Sequence, residues 1–440
     1  MLELDISSDA LITALLDLAE SETVSVLDSC GVRHLGSHRL VAGVSPVKVL
    51  QTSDADPYRT LALLDNNLAS ELASIFTISY DFGKKLLTIP QRRTAFHGPY
   101  EPDVFIANYD ALIVHDYDTN RTKIVGKAEK CASLKHLLEQ SKSCSNGGQD
   151  PHDAFSRSNF TRVEYLAAIE TIKEQIRNGD TYQTNLTQRL TTNLPAGLTP
   201  EIVFARLRRY HPAPFAAYIK RLDSTVVSAS PERFFKVDRS SNTISTSPIK
   251  GTRPRGETPA DDAEIRNDLL ASGKDRAENT MIVDLLRNDL GRVCEFGSVR
   301  VEKLCDLEEH PTLFHLVSTI KGELREDTRF SEMLHALFPC GSITGAPKLS
   351  TMKIIDDIEP SQRGLSMGAI GYHIPGGEAF GMLDSLDLSV AIRTMVIRDQ
   401  IATFNVGGGI VIDSDPDSEY QETLTKAVAL LDALSARLTN

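Results

Sequence analysis

A carboxylate interrupts the apolar face of a predicted helix in the middle of the chain. The segment Lys274–Leu286 has helical periodicity, and at about 100° per residue Glu278 falls between the apolar side chains of Leu285 and Ile282. A carboxylate inside an apolar layer must be paired, protonated or bound to a metal, because its desolvation is costly. From this helix alone, a buried ion pair and a metal site both explain Glu278.

A second predicted helix near the end of the chain carries three charges on one stripe. Asp415 followed by Pro416 is typical of a helix start, and Glu419, Glu422 and Lys426 follow beside an apolar face. A solvated edge with a Glu422–Lys426 pair would have the same spacing. Carboxylates from two helices, without His or Cys beside them, suit a hard cation with oxygen ligands. The two helices together therefore favour a Mg²⁺ site.

Three glycines and an arginine next to predicted strands could bind an anion. Asn405-Val-Gly-Gly-Gly-Ile410 follows the alternating run Ile401–Phe404, and consecutive glycines let backbone N–H groups approach an anion closely. A tight turn or a bulge would need the same glycines. Arg393 interrupts an apolar strand, where its guanidinium could bind a carboxylate ligand or pair with a buried Glu.

Lys250 lies in Ser247-Pro-Ile-Lys-Gly-Thr252, close to a proline and next to a glycine, before a predicted long loop. A lysine in a desolvated pocket beside other cations loses its proton more easily and can act as a nucleophile. Most loop lysines are only solvated surface charges, so both interpretations stand at this point.

Helix and strand signals surround these residues. The capping box Thr161-Arg-Val-Glu164 and the typical helix end Asn178-Gly179 predict a helix of about 17 residues. Longer helical periodicities cover Ile265–Leu290 and Ser418–Leu438. Alternating apolar runs predict strands at Tyr182–Leu190, Val226–Ser230, Gly368–His373, Leu386–Arg393 and Ile401–Val406. Without a strict βαβ rhythm, this mixture favours an α+β fold with mostly antiparallel sheet.

Composition limits the function classes. The chain has 440 residues and a formal net charge of -13, so we expect no nucleic-acid partner and no anionic membrane. Its six cysteines form no Cys-x-x-Cys pair, which predicts reduced thiols. No stretch reaches about 18 uninterrupted apolar residues and no leader is recognisable, which predicts a cytoplasmic protein. The polar run Gln140–Ser158 is predicted to be a linker.

Ten motifs from about Asn159 to the end of the chain resemble those of the chorismate-utilising enzymes. The motifs are Gly179-Asp-Thr-Tyr-Gln-Thr-Asn-Leu-Thr187, Ser230-Pro-Glu-Arg-Phe234, Pro248-Ile-Lys-Gly-Thr252, Lys274-Asp-Arg-Ala-Glu-Asn279, His315-Leu-Val-Ser-Thr319, Gly341-Ser-Ile-Thr-Gly-Ala-Pro-Lys348, Gly371-Tyr372, Ile392-Arg-Thr394, Gly407-Gly-Gly-Ile410 and Glu419-Tyr-Gln-Glu422. The resemblance implies a four-layer α/β/β/α body with two orthogonally packed sheets. Residues 1–150 would be intertwined with a catalytic region at 159–440, so that the polar run would be a loop within one body.

The resemblance also implies a metal site. Glu278 and Glu422 would bind Mg²⁺ directly, and Asp275 and Glu419 would act through water. The metal would hold the ring carboxylate of chorismate, with Lys426 nearby.

The same resemblance implies the rest of the substrate pocket. Arg393, Tyr372 and the amides of Gly407, Gly408 and Gly409 would bind the enolpyruvyl carboxylate. His315 would be the active-site histidine, and the further pocket residues would be Gly251, Thr252 and Thr344.

Two positions distinguish the reactions within the family. Isochorismate and salicylate synthases have a lysine that activates water where this chain has Gln183, so hydroxylation at C2 is not expected. Anthranilate synthases typically have alanine where this chain has Lys250. The Pro-Ile-Lys-Gly-Thr form resembles the aminodeoxychorismate synthase branch, in which Glu232 would protonate the departing 4-hydroxyl while Lys250 attacks C2, before ammonia adds at C4. Anthranilate synthesis is the alternative, and a non-catalytic Mg²⁺- or amino-acid-binding regulatory subunit is a third reading.

Two further expectations follow from the comparison with the family. Because no Gly-x-Cys-x-Gly motif occurs, we expect ammonia to come from a separate glutamine amidotransferase subunit in a heterodimer. Relatives can hold tryptophan in the N-terminal half, and Ser29 with Pro214 and Phe215 resembles that effector pocket. The chain departs from the family where the usual Pro-Gly-Gly-Ser reads Pro339-Cys-Gly-Ser342.

Overall fold

The computed structural model describes residues 1–33, 38–90, 101–141, 154–309 and 313–439. Most of the predicted linker, at 142–153, lies outside the described residues. None of the helices in these ranges is long and apolar enough to cross a membrane. The five cysteines within them are free thiols, as predicted.

The first sheet has thirteen strands. Numbered along the chain, they are β1 Leu2–Leu4, β2 Val24–Asp28, β3 Arg39–Val44, β7 Ala111–Asp116, β8 Arg121–Gly126, β9 Ala154–Ser158, β10 Gln183–Asn193, β11 Phe215–Lys220, β12 Thr225–Ser230, β18 Gly345–Ala346, β21 Thr394–Arg398, β22 Ile401–Ile410 and β23 Ala436–Leu438. Their spatial order is β1-β8-β7-β3-β2-β11-β12-β21-β22-β10-β9-β23, and β18 pairs with β10.

The second sheet has ten strands. They are β4 Lys48–Thr52, β5 Ala73–Ile78, β6 Val104–Tyr109, β13 Arg233–Asp238, β14 Thr243–Ser247, β15 Ile249–Pro254, β16 Arg300–Glu309, β17 Leu313–Glu323, β19 Ala369–Ile374 and β20 Ser385–Val390. Their order is β15-β17-β14-β13-β20-β19-β5-β6-β4, and β16 pairs with β17. Pairs such as β2 with β11 and β5 with β19 join N-terminal and C-terminal strands in each sheet, so the two halves are interleaved.

Eleven helices lie within the described residues. They are α1 Ser8–Leu18, α2 Pro57–Leu68, α3 Tyr80–Leu86, α4 Ala128–Gln140, α5 Arg162–Arg177, α6 Pro200–Tyr210, α7 Pro259–Ala271, α8 Gly273–Gly291, α9 Phe330–Leu337, α10 Lys348–Ile358 and α11 Pro416–Ala433. A single 3₁₀ turn covers Gly341–Ile343.

Three apolar clusters define four layers. One cluster packs α1, α4, α6 and α11 against the first sheet, and a second joins the facing surfaces of the two sheets. A third packs α2, α3, α8, α9 and α10 against the second sheet. Alternation along β11 shows the principle, because Ala216 and Tyr218 face the helices whereas Ala217 and Ile219 face the other sheet. The predicted α+β fold with mostly antiparallel α/β/β/α layers is confirmed.

Several predicted elements are confirmed and others are wrong. The helix after Thr161 is α5, with the predicted capping box and Gly179 at a φ of 84° beyond its end. The single helix predicted over Ile265–Leu290 is two helices, because Ser272 ends α7 and caps α8. The predicted long loop after Pro248 contains β15, and the last predicted helix ends at Ala433, before β23.

A buried arginine connects the elements beneath the site described below. Arg363 and Glu359 form a doubly hydrogen-bonded ion pair at 2.7 and 3.0 Å, with side chains 1% and 4% exposed. The guanidinium also donates to the backbone oxygens of Asn185 at 2.6 Å and Ile343 at 3.1 Å. Glu359 accepts from the backbone N–H of Thr187 at 2.8 Å. The pair therefore joins β10, the 3₁₀ turn and the end of α10.

Replacing Arg363 by leucine is expected to lower the free energy of unfolding by about 3–5 kcal/mol, because a buried carboxylate loses its partner. Urea denaturation measures this change. A matched control is Arg287→Leu, which removes an exposed ion pair with Asp284 and should change stability by less than about 0.5 kcal/mol. Equal effects in the two variants would contradict the anchoring role.

Candidate active site

Two of the predicted acidic residues lie on α11, where this helix crosses β22. Gly408 permits the close approach, because a Cβ added there would lie 3.3 Å from Glu419 Oε2 and 3.7 Å from Glu422 Oε1. The glycine loop predicted from the sequence is wrong, since Gly407 to Gly409 continue β22 and pair with β10. Glycine is required here by the packing of a helix on a strand.

The other two acidic residues lie on the first turns of α8. Gly251, at a φ of 87°, allows this helix to approach β15, because its added Cβ would lie 3.0 Å from Asp275 Cβ. Asp275 also pairs with Arg253 at 3.1 Å. Glu278 is partly buried beside the core residues Ile282 and Leu286, at the position that the helical periodicity predicts.

Two lysines lie against the acidic residues of α11. Lys426 Nζ is 2.6 Å from Glu422 Oε1 and donates to the backbone oxygen of Gly407 at 3.0 Å. Lys274 Nζ is 3.6 Å from Glu419 Oε1, and the buried Glu419 also accepts from Ser414 Oγ at 2.7 Å. Each of the two acidic residues of α11 is therefore paired with a lysine, one from α11 itself and one from α8.

The pKa shifts show that charges of both signs converge on this site. Burial raises the pKa of Glu278, the positive charges of Lys250 and Lys274 oppose the rise, and the negative charge of Glu419 adds to it. Burial acts in the same direction on Glu422, but Lys426 outweighs it, so that the pKa of Glu422 is lowered. The carboxylates of α8 and α11 are thus close enough to interact through their charges.

The donor set fits a hard divalent cation. Four carboxylates from two helices supply oxygen ligands, and the like charges that raise the pKa of Glu278 are those that a cation would neutralise. Within the described ranges, no three acidic, His or Cys side chains already stand at the spacing of a metal centre. The carboxylates would therefore have to turn for a cation to bind here.

Lys250 lies in a β-bulge. Ile249 pairs with Val317 and Thr252 with His315, so β15 carries one more residue than β17 between these pairs. Bulges of this kind redirect side chains next to active sites. The positive charge of Lys250 acts to lower the pKa values of Glu232, Glu278 and Glu422, so its amine lies within electrostatic range of Glu232 and of both acidic helices. Within the described residues, Lys250 Nζ has no hydrogen bond or ion pair.

Glu232 is a buried carboxyl at the start of β13 and is only 5% exposed. Burial raises its pKa, although the Ser342 hydroxyl and the charge of Lys250 act to lower it. Its Oε1 atom has no hydrogen-bond partner among the described residues. A carboxyl with a raised pKa and one oxygen without a hydrogen-bond partner among the described residues is suited to donate a proton.

Arg393 is a desolvated cation between β20 and β21, at a φ of 47°. β21 pairs with β22 only from Arg398–Ile401 to Val396–Thr403, so this pairing stops before the glycines of β22. Burial lowers the pKa of Arg393, and no acidic group offsets the shift. An anionic ligand would supply the missing partner.

Three predicted pocket residues make contacts of their own. His315 Nδ1 lies 2.8 Å from Thr252 Oγ1 across β15 and β17. Gln183 packs its amide against Gly409, and its Oε1 is buried without a partner in the described part of the chain. The Thr344 hydroxyl donates within its own turn, to the backbone oxygen of Cys340 at 3.1 Å.

Tyr372 is not among the residues around the acidic helices. It lines a second cleft between the two sheets, which is also lined by Ser29, Pro214 and Phe215. Its neighbours are Asp387 and Ser385, so its position does not support the predicted contact with a carboxylate at Arg393. The structure does bring Ser29, Pro214 and Phe215 together, as the effector-pocket resemblance implies.

Sequence reasoning assigned no role to Lys274, Cys340 or Ser342. Lys274 opens one of the quoted motifs and Ser342 lies in another, so the motif match could have marked them. Their contacts with Glu419 and Glu232 depend on long-range packing.

Among the described residues, a partly buried arginine without an acidic partner, a lysine amine without an ion pair and converging carboxylates form a candidate site for a small anion on a four-layer α+β fold. The profile of the family described as chorismate binding enzyme matches residues 9–432. The chain therefore belongs to the chorismate-binding enzymes.

Several known proteins are similar to the chain. Anthranilate synthase component 1 1 of Haloarcula marismortui is 37% identical over 382 residues, covering 82% of this chain and 75% of that protein. Aminodeoxychorismate synthase component 1 of Escherichia coli is 34% identical over 430 residues, covering 95% and 89%. The crystal structure of anthranilate synthase component I from Streptococcus pneumoniae superposes with a TM-score of 0.75 at 28% identity, covering 90% and 93%.

Proposed function

We propose that the chain aminates chorismate at C4, as component I of an aminodeoxychorismate synthase. The observation that carries the proposal is Lys250, whose amine has no hydrogen bond or ion pair among the described residues and lies within electrostatic range of Glu232 and the acidic helices. A nucleophilic amine next to a buried acid is what amination through a covalent adduct requires. The relatives named aminodeoxychorismate synthase component 1 support the same reading.

In the first step the Lys250 amine forms a bond to C2 of chorismate. Both ring double bonds shift, from C1=C2 and C5=C6 to C6=C1 and C4=C5, the C4–O bond breaks, and the departing hydroxyl leaves as water with the proton of Glu232. Arg393 holds the enolpyruvyl carboxylate, which fixes the ring between the amine and the acid.

In the second step ammonia forms a bond to C4. Both ring double bonds shift back to C1=C2 and C5=C6, the C2–N bond breaks, and Lys250 leaves as the neutral amine. The new ammonium group gives a proton to the Glu232 carboxylate, so that acid and nucleophile both return to their starting states. The sum is chorismate plus ammonia to 4-amino-4-deoxychorismate plus water.

Product analysis tests the proposal. The purified chain is incubated with chorismate, Mg²⁺ and an ammonium salt, and the products are separated by liquid chromatography with mass detection. We expect 4-amino-4-deoxychorismate, which a lyase converts to 4-aminobenzoate. Anthranilate as the product would establish the rival activity, and no turnover would favour a regulatory subunit.

Mg²⁺ is the cation proposed for the carboxylates of α8 and α11. Glu278 and Glu422 would bind it directly, with Asp275 and Glu419 acting through water. When bound, it neutralises the ring carboxylate of the substrate.

Replacing Glu278 or Glu422 by glutamine is expected to weaken Mg²⁺ binding by at least about tenfold, because each change removes a charged ligand. Isothermal titration calorimetry with Mg²⁺ alone measures this without turnover. Glu174→Gln, on the exposed face of α5, is the control. Unchanged affinity in the first two variants would place the metal elsewhere.

Ammonia is proposed to come from glutamine through a separate amidotransferase subunit, in the cytoplasm. Relatives named component 1 support a second component. Glutamine-dependent turnover that requires the added subunit, with ammonium-dependent turnover in its absence, would test this assignment.

A second proposed function is effector binding in the cleft between the sheets. Ser29 Oγ is buried without a partner among the described residues, and the cleft is also lined by Asp28, which pairs with Arg208, and by Arg39, which pairs with Asp116. The chain contains no tryptophan, so titration with L-tryptophan can be followed by ligand fluorescence. A signal that Ser29→Ala does not weaken would contradict this cleft as the site.

A further inference from the structure

The segment next to the Glu232 carboxyl is Pro339-Cys-Gly-Ser342, in which the chain departs from the Pro-Gly-Gly-Ser motif of its family. Cys340 directly precedes the 3₁₀ turn and Ser342 is its middle residue, and they are 3% and 6% exposed. Their side chains contact each other, with Cys340 Sγ 3.3 Å from Ser342 Oγ. The Ser342 hydroxyl in turn hydrogen-bonds the Glu232 carboxyl. Thiol, hydroxyl and carboxyl thus form one buried row.

The direction of the hydrogen bonds in this row is determined by the protons available. Burial raises the pKa of Cys340 to about 12, and the charge of Glu232 adds to the shift, so the sulfur stays a thiol near neutral pH. Ser342 has one hydroxyl proton, which it donates to the carboxylate. Cys340 therefore donates its S–H to Ser342 Oγ.

The row rests on a rigid support. Ile343, the last residue of the turn, accepts the 3.1 Å hydrogen bond from Arg363, which is itself paired with Glu359. Gly341 lies against α8, since a Cβ added there would be 2.6 Å from Leu285 Cδ2. The turn cannot shift easily relative to either helix.

We propose that Cys340 and Ser342 are a positioning pair for the general acid: they occupy one oxygen of Glu232 and leave Oε1 as the atom that carries the proton to the substrate. Oε1 is the buried oxygen without a partner in the described residues. Ser342 orients the carboxyl, and the thiol fills the volume behind it that would otherwise admit water. The role as acid rests on the proposed function, whereas the hydrogen-bonded row does not.

Other groups also face Glu232 and must be held constant in a test. Lys250 from β15, the backbone N–H of Ile249 and Lys426 from α11 all act to lower its pKa. Lys348 from α10 acts on Cys340. Variants confined to Cys340 and Ser342 leave these groups in place.

Infrared difference spectroscopy of the full chain can test the pair without turnover. The carboxyl band of Glu232 is identified by its absence in Glu232→Gln and then titrated with pH. We expect Ser342→Ala to move the titration up by about one pH unit, because the carboxylate loses a hydrogen bond. We expect Cys340→Gly to move it down, because water reaches the carboxyl.

Conservative variants separate positioning from general damage. Ser342→Thr keeps the hydroxyl and Cys340→Ser keeps a donor, so both should titrate like the wild type and carry the test if the smaller residues impair folding. Cys294→Ala removes a buried thiol of raised pKa far along the chain and should change nothing. The proposal would be overturned if the titration of the Glu232 band did not move in Ser342→Ala and Cys340→Gly, or if it moved in the same direction in both. If it moved in opposite directions but the chain did not aminate chorismate, the positioning pair would stand and the proposed function would be rejected.

Discussion

Lys250→Ala is expected to abolish formation of 4-amino-4-deoxychorismate, with kcat falling by about 10³-fold or more. The neighbouring lysines cannot replace the lost amine, because Lys426 is held by Glu422 at 2.6 Å and Lys274 lies 3.6 Å from Glu419. The bulge in which Lys250 lies involves the backbone of β15 and survives the substitution. The Michaelis constant for chorismate should change little, since Arg393 and the carboxylates proposed to bind Mg²⁺ remain.

Mass spectrometry provides a second measurement on the same variant. Without ammonia, wild type mixed with chorismate and Mg²⁺ should retain the substrate, less one water, on the peptide that carries Lys250. The variant should retain none. Lys303→Ala, which removes an exposed lysine paired with Asp306, is the control and should behave like wild type. Undiminished product from Lys250→Ala would show that ammonia attacks without an adduct.

Local signals in the sequence predicted much of the fold and part of the site. Thr161, Glu164 and Gly179 bounded α5 correctly, because caps and a left-handed glycine depend on neighbouring residues only. The helical period placed Glu278 within the apolar face for the same reason, and the residue is partly buried. The roles of Lys250 and Glu232 came from the family motifs.

Features that depend on strand register could not be predicted from local patterns in the sequence. The glycines at 407 to 409 suggested a turn, but ten consecutive pairs with β10 keep them in a strand. Tyr372 shows the same limit, because pairing of β19 with β5 and β20 decides which sheet face each residue occupies, and one residue of shift would exchange the faces. The Arg363–Glu359 pair draws its partners from three elements, so no local pattern marks it.

Glu232→Gln is expected to lower kcat by about 10²- to 10⁴-fold, because an amide of similar size cannot supply the proton that the departing hydroxyl needs. Its burial, at 5% exposure, and its raised pKa keep the wild-type carboxyl protonated to higher pH than an exposed glutamate. Chorismate affinity should be retained, which equilibrium binding of chorismate in the absence of ammonia will measure. A variant with wild-type kcat would assign the acid to another group.

The free energy of unfolding of Glu232→Gln shows whether a low kcat comes from the missing proton donor or from a disrupted structure. The folded-state pKa of Glu232 is raised above its unfolded value, so the stability linked to its proton is present at low pH and decreases as pH rises through the folded-state pKa. Glutamine does not ionise, so Glu232→Gln should gain stability relative to wild type between about pH 5 and about pH 8. Urea denaturation at both pH values measures the difference. An equal loss of stability at both would mean that the amide disrupts the row formed with Ser342 and Cys340.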